Sequence, residues 1–228
     1  MKKKVTYHII TLFPDSISGY ISHSILKRAI EDKKISVKFY DPKDFEKNKK
    51  IRVDDKPYGG GPGMVVRAEP VIKAIGKAIG TGKSKTKKVK IIFLSPQGEQ
   101  FTNEYADKVA NDYIDIVIVS GRYEGIDARV KEVFSVDEVS IGPFVLTGGE
   151  LPAMMIVDVI SRRIPGILGN FDSVEEGRNA SNDVYTRPES FKYKKKEYSV
   201  PDVLLSGNHA EIEKWRENKS NHKQNTKK

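Results

Sequence analysis

Ser140-Ile141-Gly142-Pro143-Phe144-Val145-Leu146-Thr147-Gly148-Gly149-Glu150-Leu151-Pro152 joins a strand-like run to a strongly apolar helical one. Three glycines and two prolines are interleaved with apolar residues, so the segment is not a flexible linker. Glycine lets backbone approach a neighbour closely, and proline fixes φ. The segment reads as a rigid cradle that offers main-chain N–H and C=O groups to a ligand. A tight strand-to-helix connection is the plainer alternative.

Working outward, two upstream strands end in loops of similar texture. Val89–Leu94 runs into Ser95-Pro96-Gln97-Gly98, and Ile114–Val119 runs into Ser120-Gly121-Arg122-Tyr123-Glu124-Gly125-Ile126-Asp127. A short helix and the strand Glu138–Ile141 follow. Three loops therefore sit at strand carboxyl ends, the edge where open α/β sheets bind ligands. Downstream, Leu151 to Ile160 is a helix apolar nearly all round, which predicts burial on both sides and a subunit interface. Its one carboxylate, Asp158, reads as a paired structural group.

The chain opens β-α-β: a strand at Tyr7–Phe13, a helix capped by Asp15 or Ser16 and running from Ile17 to Ile30, and a strand at Ile35–Tyr40. This order predicts a parallel sheet with right-handed crossovers. The first strand-to-helix turn lacks glycine, which argues against a dinucleotide fingerprint. Lys43–Arg67 is a long charged loop containing Pro57-Tyr58-Gly59-Gly60-Gly61-Pro62-Gly63, and a helix follows from Glu69-Pro70. Gly80-Thr81-Gly82-Lys83-Ser84 ends like a P-loop, but Lys77 occupies the position of the required glycine and a helix precedes it.

The 228 residues are 38% hydrophobic with no membrane-length apolar run and no secretory pattern. A cytoplasmic protein is expected. Cysteine is absent, which excludes disulfides, thiolate metal sites and cysteine nucleophiles. The net charge of +9 fits a polyanionic partner, although a lysine-rich proteome would give the same value. The expected domains are 1–165, a linker at 166–185, and a small, shortened, lysine-rich helical domain at 186–228. There Asn208 caps a helix bearing Ile212 and Trp215.

Taken together, Val53–Met64, Leu94–Gly98, Gly121–Asp127, Ser140–Ala153, Ser161–Gly169, Tyr185–Glu189 and Leu204–Ile212 resemble the bacterial tRNA (guanine-N1)-methyltransferases of the knotted SPOUT class, in that family's order. The resemblance implies a mostly parallel α/β sheet with a deep trefoil knot, which binds S-adenosylmethionine in its strand-end loops. The cofactor residues it implies are Leu94, Ser95, Pro96, Gly121, Tyr123, Glu124, Gly125, Ser140, Ile141, Gly142, Pro143, Phe144, Val145, Leu146, Gly148, Gly149 and Pro152. It also implies an obligate homodimer with active sites at the subunit interface. The implied substrate is tRNA with guanosine at position 37, and magnesium is associated with the activity. Where this chain has Pro143-Phe144 the family often has an acidic residue before an aromatic one.

Guanine N1 carries a proton at neutral pH, so its methylation needs a general base, and charge then builds on O6. Asp172 matches the family's base; read alone, it is part of a helix cap, since Ser173 and Glu176 form a capping box. Arg162 matches the family's catalytic arginine, and Arg162 or Arg163 is also a natural helix C-terminal cation. Glu124 helps place the base or magnesium, or else pairs with Arg122. Lys192, Lys194, Lys195 and Lys196 can neutralise tRNA phosphates. Two other readings stay open: a SPOUT enzyme for another nucleoside, and a non-catalytic RNA-binding protein.

Overall fold

The computed structural model describes residues 4–48, 50–80, 88–168 and 183–224. The chain divides into two compact units, Met1–Leu168 and Gly169–Lys228. The first contains β1 (Val5–Ile10), α1 (Asp15–Ile21), α2 (Ser24–Glu31), β2 (Ile35–Tyr40), a 3-10 turn (Pro42–Phe45), β3 (Asp54–Asp55), β4 (Val65–Val66), α3 (Ala68–Ile79), β5 (Val89–Gln100), α4 (Asn103–Asp112), β6 (Asp115–Val119), α5 (Arg129–Val133), β7 (Asp137–Ser140) and α6 (Glu150–Ser161).

Five strands form one sheet in the order β2-β1-β6-β5-β7, every pair parallel. This is the α/β architecture expected from the opening β-α-β pattern. Strand β6 is buried along its whole length, which is why it reads as an unbroken Ile/Val run rather than an alternating one. Alternate side chains enter separate cores on the two faces. Tyr7, Ile9, Ile116 and Ile118 pack under α1, α2, α4 and α6, while Ile10, Val117 and Val119 pack under α3.

Several expectations are corrected. The first helix is two, broken at Ser22-His23, where Ser22 Oγ donates to the Gly19 carbonyl and His23 Nδ1 lies 2.8 Å from the same oxygen. Ser24 then takes φ 51°. Pro14 occupies the N-cap of α1 with no side-chain cap, so neither Asp15 nor Ser16 caps it. The segment after Leu94 is not a free loop: β5 resumes at Glu99, with Leu94 and Glu99 both opposite Val139, so Ser95–Gly98 bulges out. Loop 43–67 closes on itself through the antiparallel pair β3–β4. The P-loop-like segment from Thr81 onward lies outside the described residues.

The second unit holds β8 (Ser190–Tyr193), β9 (Lys196–Ser199), α7 (Asp202–Leu205) and α8 (His209–Gln224). The lysine-rich stretch expected to be helical is thus a hairpin, turned at Lys194 (φ 55°). Alternating Phe191 and Tyr193 favours a strand, and Phe191 stacks on Tyr198 across the pair. Asn208 Oδ1 accepts a long, 3.4 Å hydrogen bond from the Glu211 amide at the start of α8.

Candidate active site

Strands β6, β5 and β7 are neighbours, so the loops after β6 and β7 meet the loop that bulges out of β5. Those loops enclose a cavity of about 260 Å³, just below the usual range for ligand pockets. Of the expected cofactor residues, Leu94, Ser95, Pro96, Gly121, Tyr123, Glu124, Gly125, Ser140, Ile141, Phe144, Val145, Leu146, Gly148, Gly149 and Pro152 line it. Gly142 and Pro143 do not. The Phe144 ring folds back over Gly142, where an added Cβ would come within 2.3 Å of it. Arg122, Val139 and Thr147 also line the cavity. Arg122 and Thr147 each sit among residues already singled out. Val139 reads only as a core strand residue, so the sequence carries no signal for it.

The glycines turn out to serve loop packing. Neither Gly148 nor Gly149 has positive φ. A Cβ on Gly149 would lie 2.8 Å from Ser120 Cα and 2.9 Å from the Gly121 nitrogen, and one on Gly148 would meet the Arg122 side chain at 2.4 Å. The Gly149 amide donates to the Gly121 carbonyl (2.8 Å). The two loops touch backbone to backbone, which leaves no room for side chains. Tyr123 is the strained residue here, with φ 59° and an exposed ring. A bulky residue held in this region costs about 1–3 kcal/mol and persists where the surroundings impose it.

The glycine-rich loop reaches the same edge. The Glu124 amide donates to the Met64 carbonyl and the Val66 amide to the Gly125 carbonyl. A Cβ on Gly63 would come within 2.6 Å of the Glu124 carboxylate. Glu124 makes no ion pair with Arg122. Arg122 Nε instead stands 2.8 Å from Glu150 Oε2, off the axis of an aligned hydrogen bond.

At the far end of α6 the two arginines separate in role. Arg163 is buried, with Nε 2.7 Å from Asp107, and it donates to Asn103 and to the Val159 carbonyl. It is the helix-terminal cation that ties α6 to α4. Arg162, at the C-cap, is half-buried. Arg162 follows Pro152, the last residue of α6 to line the cavity, by ten residues, a rise of about 15 Å at 1.5 Å per residue. Asp172 lies outside the described residues. Asp158 accepts a hydrogen bond from Tyr20, the paired role expected of it. A second cavity, about 600 Å³, lies within the second unit near Tyr185, Arg187, Leu204 and Trp215, and none of the expected site residues lines it.

The family model described as tRNA (Guanine-1)-methyltransferase TrmD matches residues 5–228. The chain belongs to the tRNA (guanine-N1)-methyltransferase family. Relatives bearing that name include a protein of Desulforamulus reducens, 46% identical over 93% of this chain and 82% of its own length. One from Buchnera aphidicola is 44% identical over 95% and 92%, and one from Clostridioides difficile is 43% identical over 94% and 91%. No helix among the described residues is long and apolar enough to cross a membrane.

Proposed function

We propose that this protein transfers a methyl group from S-adenosylmethionine to N1 of the guanosine at tRNA position 37. The observation that carries the reading is the convergence of the β5 bulge and the loops after β6 and β7 on one cavity in a chain of this family. The residues present fit the donor. Leu94, Val139, Ile141, Leu146 and Pro152 supply apolar walls for a purine, the loop backbones supply polar edges, and the Glu124 carboxylate suits a cationic group. Bound there, the donor would supply a methyl group already activated by its sulfonium charge.

The protein's own work lies with the acceptor. Asp172 takes the N1 proton, and Arg162 donates to O6 as charge develops there. Arg162 stands ten residues beyond the cavity-lining Pro152, so it serves the cavity of a second copy across an α6-centred homodimer, with Asp172 supplied from the same copy, and Leu151 and Met155, half exposed here, are covered there. The chain threads a trefoil knot at the three loops. Lys192, Lys194, Lys195 and Lys196 neutralise tRNA phosphates. Among the described residues no three carboxylate or histidine side chains converge as a metal site.

The deciding experiment is methylation of a tRNA transcript carrying guanosine or adenosine at position 37, with labelled donor and nucleoside mapping. N1-methylguanosine from the first transcript and none from the second is expected. Label elsewhere in the tRNA, or none at all, overturns the reading.

A further inference from the structure

Glu150 is one of the most deeply buried charged residues of the first unit, 3% exposed. Standing first in α6, it has a simple explanation as an acidic residue favoured by the helix dipole. That explanation needs neither burial nor partners, and Glu150 has both. Oε1 accepts from the hydroxyl of buried Thr11, the residue after β1, and Oε2 stands 2.8 Å from Arg122 Nε. Thr11 Oγ1 in turn accepts from the Phe13 amide, and the Phe13 ring lies under the Arg122 guanidinium, 4.6 Å from its carbon. Arg122 also donates to the Thr147 carbonyl (3.3 Å), and its flank fills the space beside Gly148.

One carboxylate therefore ties together the end of β1, the 121–125 loop and the 141–149 loop. Both of these loops line the cavity. We propose that Glu150 is a positioning residue for donor binding: by holding Arg122 through a charge pair anchored on Thr11, it sets the spacing between the two loops. A buried carboxylate left without its cation, or a guanidinium without its anion, carries an uncompensated charge, so neither group can leave while the other stays buried. The arrangement can thus hold the loops at one separation before any ligand arrives, which lowers the ordering cost of binding. Glu150 itself is not among the residues that line the cavity. It acts through Arg122.

The inference rests on the reading of the cavity as the donor site, and its test separates the two. Glu150→Gln keeps the shape and removes the charge. In the full-length protein with folding confirmed by circular dichroism, KM for S-adenosylmethionine should rise about tenfold as the charge that holds Arg122 is lost, while kcat at saturating donor stays within about threefold. Glu150→Gln combined with Arg122→Gln should cost little more than either change alone, the signature of a coupled pair. Hydrogen exchange on the unliganded protein reads the loops directly. The Gly149 amide should lose protection in Glu150→Gln while amides of β6 keep theirs. Thr11→Val, which removes only the anchoring hydroxyl, should show the same pattern more weakly and serves if Glu150→Gln does not fold. Unchanged exchange with unchanged KM overturns the proposal, as does a fall in kcat and stability with KM unmoved. Wild-type protein that binds no donor but shows the exchange effect would remove the donor-site reading and leave the loop-spacing role standing.

Discussion

Gly149 makes the strongest single-residue demand in the site. Its hydrogen faces Ser120 and Gly121 backbone, so even a methyl group must push the two loops apart. Gly149→Ala should destabilise the protein by about 1–3 kcal/mol, the usual cost of overpacking. It should also weaken S-adenosylmethionine binding by roughly tenfold or more, a loss of about 1.4 kcal/mol or above. Urea unfolding and titration calorimetry check the two effects. Arg163 supplies the contrasting case. Its guanidinium bonds Asn103 and the Val159 carbonyl and pairs with Asp107. Asp107 is itself half exposed and can return to water, so Arg163→Met should cost about 1–3 kcal/mol rather than the larger toll of a stranded buried ion. Arg162→Ala should leave stability within about 0.5 kcal/mol and abolish methyl transfer. Loss of stability in Arg162→Ala comparable to that in Arg163→Met would reverse this division of labour.

At the scale of elements, α6 serves three structures at once. Its first turn packs Gly149 and Glu150 into the loops, and its inner face, Ala153, Ile156, Val157 and Ile160, fills the core. Its outer face leaves Leu151 and Met155 exposed at 50% and 41%. All-round apolarity was the sequence sign of a helix buried on both sides, and within one chain only one side is. On the proposed α6-centred dimer, Leu151→Glu with Met155→Glu should shift the protein from dimer to monomer in sedimentation without loss of helical signal. A dimer that survives both changes places the interface elsewhere. The bulge in β5 is a second element-scale device. It projects Ser95 and Pro96 into the cavity while Gly98 lets β5 resume against Val139, whose nitrogen an added Cβ would approach to 2.4 Å.

Across the whole molecule, charge shapes the response to pH. Hydrogen bonds from Arg52, Arg129 and Lys131 hold the carboxyls of Asp54, Asp127 and Glu138 below their usual values. A carboxyl whose value is lower folded than unfolded stabilises the fold above about pH 4, the unfolded value. That contribution is lost as pH falls through the lowered folded values. The urea midpoint should therefore fall between pH 6 and pH 3. An unchanged midpoint over that window would show that these pairs contribute nothing to the fold. In the opposite direction, burial raises the Tyr7 hydroxyl above its usual value, so its neutral form is favoured in the fold. Its contribution is complete below about pH 10, the unfolded value, and fades as pH rises beyond it.

The unbroken Ile/Val run of β6, the run at Val89–Leu94, the alternating strand Ile35–Tyr40 and the apolar helix from Leu151 were each legible in the sequence, because burial is written into local composition. So were the glycine- and proline-marked loops at three strand ends, and with them most of the cavity wall. Sequence order alone did not contain the order of strands in the sheet. That order makes β5, β6 and β7 neighbours and brings Thr11, Arg122 and Glu150 into contact across more than a hundred residues of chain. It also decided why Gly148 and Gly149 must be small, since their obstacle is another loop's backbone or side chain rather than a ligand. The hairpin at Ser190–Ser199 was hidden for a related reason: its lysines obscured an aromatic alternation whose value comes only from pairing across strands. Local pattern specifies which faces seek burial, whereas the partner each face finds is set when the whole sheet assembles.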